Sequence, residues 1–416
     1  MKIGVLGLGK LGLPVALAIE SRGHDIFAYD VNPATKSYLD DAAIPYREVG
    51  IQPLLEAHNI TWCGSAAQAI ANTDIVFIAV QTPHQPEYEG TTRIPDERSD
   101  FDYTHLLAAI QTAADACAAL RKPTTVAVIS TCLPGTFRTQ IQPALNEYTR
   151  YVYTPQFIAM GTVLTDYLNP EFNLIGVHDT DAADQLRAFY GTINKAPCIC
   201  TDITTAEGVK VSYNTWITAK TVIANAWGEL SERLGMNFDD IHHAWELSTR
   251  RLISTRYMDA GMSDGGGCHP RDNIALSWLA QQTGMSHDIW ADLMYAREDY
   301  EQWHAEIAAT TAHAAQLPLI ILGRAFKHET GIETGSPAIL MANLVAELVT
   351  ELAIDYHHVD DLDVLPRAVY FIATRNERYR TYNFPEGSVI LDPFGYIGDI
   401  DGVDVRRLGR SALTPR

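Results

Sequence analysis

Over the first two hundred residues, apolar side chains fall into short β-branched runs at residues 2–6, 24–29, 75–80, 124–130, 151–153 and 173–177, separated by stretches with helical spacing of apolar positions. Strands alternating with amphipathic helices predict a doubly wound parallel sheet, since parallel neighbours need a crossover that passes over the sheet face. Cys198-Ile199-Cys200 reads as a further strand. Residues 81–102 break the pattern: they are polar, rich in proline and acidic side chains, and long enough for a mobile lid or a binding loop. From 204 to 235 the pattern is continuously helical, with Val209, Val211, Trp216, Ile217, Val222 and Ile223 among its apolar positions. A helix of that length spans a molecule. Further helices are predicted from 238 to about 313, after which residues 318–323 open a second strand-and-helix series with strands near 368–373 and 388–391. This second series predicts a smaller α/β domain.

Composition narrows the partners. A chain of 416 residues exceeds one ordinary core, and 47% hydrophobic with 20% charged residues is globular composition, so two or three domains are expected. A formal charge of −20 argues against nucleic acid and against an anionic membrane surface. The opening residues run directly into an apolar strand without a charged leader or signal core, and no apolar run reaches membrane length, so a cytoplasmic location is expected. The six cysteines, at 63, 117, 132, 198, 200 and 268, have neither the spacing of a zinc site nor the density of a disulfide framework. No metal is expected.

Two stretches carry candidate chemistry. Gly7-Leu8-Gly9-Lys10-Leu11-Gly12 follows the first strand and opens a helix at residues 11–21, the context a dinucleotide-binding fingerprint requires. The first glycine makes the turn, the second admits a pyrophosphate to the backbone, and the third lets helix and strand pack. Asp30, at the end of the second strand, can accept hydrogen bonds from a ribose diol and would repel a 2′-phosphate, which favours NAD over NADP. The second stretch is Cys268-His269-Pro270-Arg271-Asp272, preceded by Gly265, Gly266 and Gly267. Pro270 and Asp272 read as the entry to a helix at 273–282, and a thiol near a helix N-terminus beside an arginine is biased toward the nucleophilic thiolate. Alone, Cys268 also fits a small packed residue and Asp272 a helix cap. The other motifs favour chemistry.

Those motifs, in order, are Gly7 to Gly12 with Leu13-Pro14, Val80-Gln81-Thr82-Pro83, Ser130-Thr131-Cys132-Leu133-Pro134-Gly135-Thr136, Lys210 with Asn214, Gly266-Gly267-Cys268, and Phe326-Lys327 followed by Ser336-Pro337. With them the chain resembles the UDP-glucose/GDP-mannose dehydrogenase family nearly end to end. The resemblance implies an NAD-binding Rossmann-type domain at 1–203, a central helical dimerisation domain at 204–314 and a nucleotide-binding α/β domain at 315–416. It further implies oxidation of a nucleotide-sugar C6 alcohol to the carboxylate with two NAD, in a homodimer. By the same resemblance Cys268 forms a thiohemiacetal and then a thioester, Lys210 and Asn214 stabilise the oxyanion, and Asp272 with Thr131 handles water. Lys210 and Asn214 stand four apart on one predicted helix, so both side chains can project from one face. Gly7, Gly9, Leu11, Gly12, Asp30, Thr82, Pro83, Ser130 and Thr131 are expected at the cofactor. Phe157, Lys210, Asn214, Arg251, Gly267, Phe326 and Lys327 are expected at the substrate.

The chain also departs from the family. Where the family's Pro-Glu-Phe-Leu carries a catalytic glutamate, this chain has Pro155-Gln156-Phe157-Ile158, and a second glutamate position is Met160. Gln156 can donate and accept hydrogen bonds but cannot act as a base. The family's Asp-x-Arg-x-Ser-Pro becomes Ile332-Glu333-Thr334-Gly335-Ser336-Pro337, and near Asp392-Pro393-Phe394-Gly395 no arginine matches the one used by some UDP-glucose enzymes. A divergent dehydrogenase of another nucleotide-linked or phosphorylated alcohol, with slow or missing second oxidation, is the first alternative. A non-catalytic NAD-binding scaffold is the second, opposed by the joint presence of Cys268, Lys210, Asn214 and Asp272.

Overall fold

The structure, a computed structural model, describes residues 1–83, 85–88, 91, 93–264, 268–327, 331–360 and 365–410. Packing divides the chain into two compact units, Met1–Ala219 and Lys220–Arg416.

Among the described residues, the first unit is built on eight strands: β1 (Lys2–Leu6), β2 (Asp25–Tyr29), β3 (Thr61–Trp62), β4 (Ile75–Ile78), β5 (Thr124–Val128), β6 (Thr149–Tyr153), β7 (Asn173–Val177) and β8 (Cys198–Asp202). They lie in the order β3-β2-β1-β4-β5-β6-β7-β8. Successive residues of a strand face opposite ways, and here both faces are buried. Ile3, Val5, Ile75 and Phe77 enter one apolar cluster, and Leu6, Val76 and Ile78 enter the other. Helices α1 (Gly12–Glu20), α2 (Lys36–Asp40), α3 (Gln52–Ala57), α4 (Ala66–Ala71), α5 (Thr104–Leu120), α6 (Val163–Leu168) and α7 (Thr180–Ile193) cover the sheet. The doubly wound α/β architecture expected from the sequence is the one observed. One joint differs from a purely parallel sheet, since β6 and β7 pair antiparallel while β7 and β8 are parallel.

Helix α8 (Ile203–Leu234) runs from the first unit into the second. The second unit continues with α9 (Phe238–Leu247), α10 (His269–Thr283), α11 (Ile289–Ala315), α12 (Pro337–Leu352) and α13 (Glu377–Thr381). Its strands β9 (Leu319–Leu322), β10 (Tyr356–Val359), β11 (Val369–Ile372), β12 (Val389–Asp392) and β13 (Asp404–Arg407) form a parallel sheet in the order β10-β9-β11-β12-β13. Ala305, Ala308, Ala309 and Ala312 of α11 pack in one cluster with Ala338, Met341, Ala342 and Val345 of α12, and the alanines let the helices approach closely.

The expected strands lie within one or two residues of their predicted limits, and the long helix is displaced by one. Helix α10 starts earlier than predicted. It begins at His269 with Cys268 in the N-cap position, so Asp272 lies in its first turn and is not the capping residue. Pro270 explains the shift, because a proline without an N–H fits the first turn. The loop at 81–102 is closed at its base by the Asp102 N–H to the Pro83 carbonyl at 2.8 Å, and residues 84, 89, 90 and 92 lie outside the described ones.

The turn from β1 into α1 is set by its glycines. Gly7 has φ of +97°, and a Cβ there would lie 2.6 Å from the Ala79 carbonyl oxygen. At Gly12 a Cβ would lie 1.9 Å from the Gly7 carbonyl oxygen, whereas at Gly9 it would meet nothing within 4 Å. These glycines therefore have different tasks. Gly12→Ala is expected to cost roughly 2 kcal/mol or more, because backbone must move to admit the methyl. Gly9→Ala is expected to leave stability within about 0.5 kcal/mol yet weaken NAD binding, because its methyl enters open space left for the ligand. Urea unfolding beside NAD titration checks both, and a Gly9→Ala protein that binds NAD as tightly as the parent would refute the assignment.

Candidate active site

In a sheet of order 3-2-1-4-5-6, chain direction across the sheet reverses between β1 and β4, which opens a crevice at the strands' carboxyl ends. Three loops meet there. The glycine turn follows β1, Val80 to Pro83 follow β4, and Ser130 with Thr131 follows β5. Side chains tie them together: Ser130 Oγ donates to the Val80 carbonyl at 2.5 Å, and Thr82 Oγ1 donates to the Thr131 carbonyl at 2.9 Å. Asp30 accepts the Leu8 N–H at 2.6 Å through Oδ2 and the Asn32 N–H at 2.7 Å through Oδ1. Gly7, Gly9, Leu11 and Gly12 thus belong to the turn after β1 and the start of α1, Asp30 follows β2, Thr82 and Pro83 follow β4, and Ser130 and Thr131 follow β5, on the loops at the crevice. With an open approach at Gly9 and a carboxylate at the end of β2, its residues fit NAD.

A second group gathers in the same unit around Lys210. This side chain is 8% exposed, and its ammonium donates to the Gln156 carbonyl at 2.7 Å and lies 5.2 Å over the Phe157 ring. Burial pushes its pKa below that of an ordinary lysine. Phe157 is fixed by Phe172 and Tyr213, with centroids 4.7 and 4.9 Å away. Gln156 donates through Nε2 to the Thr154 carbonyl at 2.9 Å and to the Tyr190 hydroxyl at 3.1 Å. Asn214, one turn after Lys210, is exposed, as is Met160.

Sequence reasoning passed over Glu207, three residues before Lys210. Its carboxylate is fully buried and accepts the Gly135 N–H at 2.6 Å and the Phe137 N–H at 2.8 Å. Burial raises its pKa, an effect that the two backbone donors oppose. No local signal marked it, since its partners Gly135 and Phe137 lie 72 and 70 residues earlier in the chain. Cys132, one residue after Thr131, is buried inert thiol with its pKa raised chiefly by burial.

In the second unit Cys268 is exposed and has no side-chain capping bond to α10. Arg271 and Asp272 form an ion pair at 2.8 Å, and Asp272, followed by Cys268, holds the Arg271 guanidinium more firmly protonated. Gly267 lies outside the described residues, together with Gly265 and Gly266. Arg251 is exposed in the irregular segment after α9. Phe326 and Lys327 follow β9 at the point where the order β10-β9-β11 reverses direction. Phe326 is half-buried and donates its N–H to the Ile332 carbonyl at 3.1 Å, and Lys327 is exposed.

The loop after β12 holds a cation that the sequence reading did not find. Asp392 is fully buried and accepts four backbone N–H groups, from Phe394, Gly395, Tyr396 and Ile397, at 2.7 to 2.9 Å. Over the Phe394 ring, at 4.8 Å, stands the guanidinium of Arg375. Arg375 follows β11, so the charge comes from the neighbouring strand end and not from the Asp392 loop. Its signal was its place at the reversal point of the second sheet. Among the described residues no helix is long and apolar enough to cross a membrane.

Residues 1–194 match the NAD binding domain of the UDP-glucose/GDP-mannose dehydrogenase family, and residues 204–297 match the central domain of that family. The GDP-mannose 6-dehydrogenase of Pseudomonas aeruginosa is 26% identical over 372 residues, 86% of this chain and 82% of that protein. The UDP-glucose 6-dehydrogenase of Rhizobium meliloti is 26% identical over 362 residues, 83% of this chain and 79% of that protein. The crystal structure of a ternary complex of GDP-mannose dehydrogenase from Pseudomonas aeruginosa covers 97% of this chain and 99% of its own, with a TM-score of 0.84 at 22% identity, a likeness of fold. The chain belongs to the UDP-glucose/GDP-mannose dehydrogenase family and is an NAD-dependent oxidoreductase acting on CH–OH donors.

Proposed function

We propose that this protein oxidises the C6 alcohol of a nucleotide sugar to the carboxylate, in the manner of a UDP-glucose 6-dehydrogenase, with Cys268 as covalent nucleophile. The observation that carries the reading is the buried ammonium of Lys210, held at the Gln156 carbonyl and the Phe157 ring. A desolvated cation beside a sheet's carboxyl edge is costly as structure and useful to a developing alkoxide or oxyanion. Asn214 supplies a second donor one turn on. The glycine turn and Asp30 at the β1/β4 crevice would hold NAD, which would supply the hydride acceptor for each oxidation. The Cys268 sulfur attacks the aldehyde carbon and holds the substrate as thiohemiacetal and then thioester. Thr131 orients and Asp272 activates the water that releases the carboxylate. Phe157, Arg251, Gly267, Phe326 and Lys327 contact the substrate in this reading, and residues 204–314 and 315–416 supply dimerisation and nucleotide binding.

A slow final step is favoured by Gln156. Its amide has no basic form, and both its donors are already engaged. Hydrolysis then depends on Asp272.

The activity is tested by incubating the protein and NAD with GDP-mannose, UDP-glucose and other nucleotide sugars while following absorbance of reduced nicotinamide. The right substrate should give a burst followed by slower turnover, and no reduction with any member would overturn the proposal. Cys268→Ser should abolish turnover and leave NAD binding intact. Mass spectrometry of quenched enzyme should find the acyl group on Cys268, and an active enzyme never carrying it would refute covalent catalysis.

Lys210→Ala is expected to lower turnover about 10² to 10³-fold, the scale of a lost oxyanion donor. Burial lowers the pKa of Lys210, so its ammonium loses the proton at a lower pH than an exposed lysine would. Turnover should therefore fall on the alkaline side before the ordinary lysine range, and Lys210→Arg should remove that fall. An alkaline limb unchanged in Lys210→Arg would dissociate Lys210 from the chemistry.

The helix α8 supports a homodimer, because Trp216, Val222 and Ile223 are 51%, 40% and 40% exposed on it. Sedimentation is expected to show a species of twice the 46.0 kDa chain mass, and a monomer alone at micromolar concentration would contradict it.

A further inference from the structure

Helix α11 carries a polar stripe at Arg297, Glu301 and His304, spaced four and three residues apart and so on one face. The same face continues as the alanines packed against α12. Glu301 and His304 are fully buried, and the Arg297 side chain is 12% exposed. Among the described residues, every hydrogen bond of this stripe to a residue outside α11, except one to Gly335, goes to the chain just before Cys268. Glu301 Oε1 accepts the Ser263 N–H at 2.8 Å, while its Oε2 lies 3.0 Å from His304 Nδ1. Arg297 Nε donates to Asp264 Oδ1 at 3.0 Å and to the Asp264 carbonyl at 3.3 Å, and its Nη2 donates to the Gly335 carbonyl at 3.1 Å. Asp264 Oδ2 in turn lies 3.3 Å from His269 Nδ1. Asp264 and His269 flank Cys268 on either side, so one carboxylate joins both flanks to one helix.

The upstream end of the same run is fixed independently. Arg410 Nη2 donates to the Ala260 carbonyl at 3.0 Å, and a Cβ at Gly261 would lie 2.6 Å from the Phe394 ring. An aliphatic side chain in place of Glu301 would spare the helix a buried carboxylate, so stability alone does not account for it. Its partner on the loop is a backbone N–H, a contact that fixes position whatever side chain the loop carries.

We propose that Arg297 and Glu301, acting through Ser263 and Asp264, are positioning residues that set the orientation of the Cys268 thiol. This rests on the reading of Cys268 as nucleophile. Loss of either residue should affect the rate of chemistry far more than binding, since small misplacements of a reacting group are expensive in rate and cheap in affinity.

The test compares the full-length protein with Arg297→Ala, Glu301→Ala, Glu301→Gln and Cys268→Ser. It measures kcat, the KM for NAD, and the rate of iodoacetamide labelling of Cys268 across pH by peptide mass spectrometry. Cys200 is the internal control, because it is exposed and belongs to the other compact unit. Arg297→Ala and Glu301→Ala are each expected to lower kcat about 10 to 100-fold with the KM for NAD within about twofold, the scale of an ångström-sized misplacement. The labelling profile of Cys268 should change while that of Cys200 stays, and Glu301→Gln should recover most of the loss because its amide oxygen still accepts the Ser263 N–H. If Glu301→Ala fails to fold, Arg297→Ala, at a partly exposed side chain, decides alone. Parental kcat and labelling in Arg297→Ala, with Cys268→Ser inactive, would overturn the inference and leave the nucleophile in place. Undiminished turnover in Cys268→Ser would overturn the nucleophile itself.

Discussion

The dinucleotide crevice depends on Gly12 having no side chain. Its α-carbon passes so close to the Gly7 carbonyl that a methyl group would lie 1.9 Å from the oxygen, and only at that separation can α1 begin inside the turn that ends β1. From there the helix is buried along residues 12–19, covered by the sheet and by α6, so its direction is fixed by packing on both sides. In its first turn Pro14 has no N–H, and the Leu13 and Val15 N–H groups donate to the Gly9 and Leu11 carbonyls at 3.2 Å, so the turn offers a pyrophosphate the positive end of the helix dipole and the open approach at Gly9. Asp30 joins the same constraint from β2. It holds Leu8 and Asn32, one bond per oxygen, and a carboxylate has room for further donors. The group that tightens the turn can thus also bind a ribose diol.

Beyond the crevice, buried charge does the positioning. Glu207 and Lys210 lie one turn apart near the start of α8, and each reaches a different loop at the carboxyl edge of the sheet. Glu207 takes backbone donors after β5, and Lys210 gives to a backbone acceptor after β6. Each burial costs desolvation, and each is compensated by hydrogen bonds to main chain whose position is thereby fixed. Asp392 repeats the device with four backbone N–H groups in the second unit. A side chain paired to backbone holds a loop in place without restricting the side chains that the loop presents.

How much was legible in the sequence follows from burial. Central strands such as β1, β4, β9 and β11 are buried along their length and announce themselves as apolar runs. The strands that went unread, β3, β10 and β13, are edge strands whose residues are all half-buried or exposed, and β10 carries His357 and His358 in a four-residue span. The glycine fingerprint was readable because steric demands on a turn are local. Glu301 and Arg375 were not, because their significance depends on partners far along the chain, at Ser263 and Phe394. The antiparallel β6–β7 joint was also hidden, since strand direction leaves no mark on an apolar run.

In the proposed reaction Gln156 would separate two parts of the chemistry that the family's glutamate combines. Its side-chain nitrogen donates to the Thr154 carbonyl, which can only accept, so a carboxylate in the same rotamer would face that oxygen without a proton to share. The neighbouring Tyr190 hydroxyl is buried, shared with Thr154 Oγ1 at 2.6 Å, and its pKa is pushed up to about 12 by desolvation, so it offers no base either. The bond to Lys210 is of another kind. It is made by the main-chain carbonyl of Gln156, which every amino acid possesses, and a change of side chain leaves it intact. In the proposed reaction, exchange of glutamate for glutamine would therefore act on proton transfer at the hydrolytic step, while the placement of the ammonium survives. In the proposed reaction the oxidations retain their cation, and the release of product is the step left to Asp272 and Thr131.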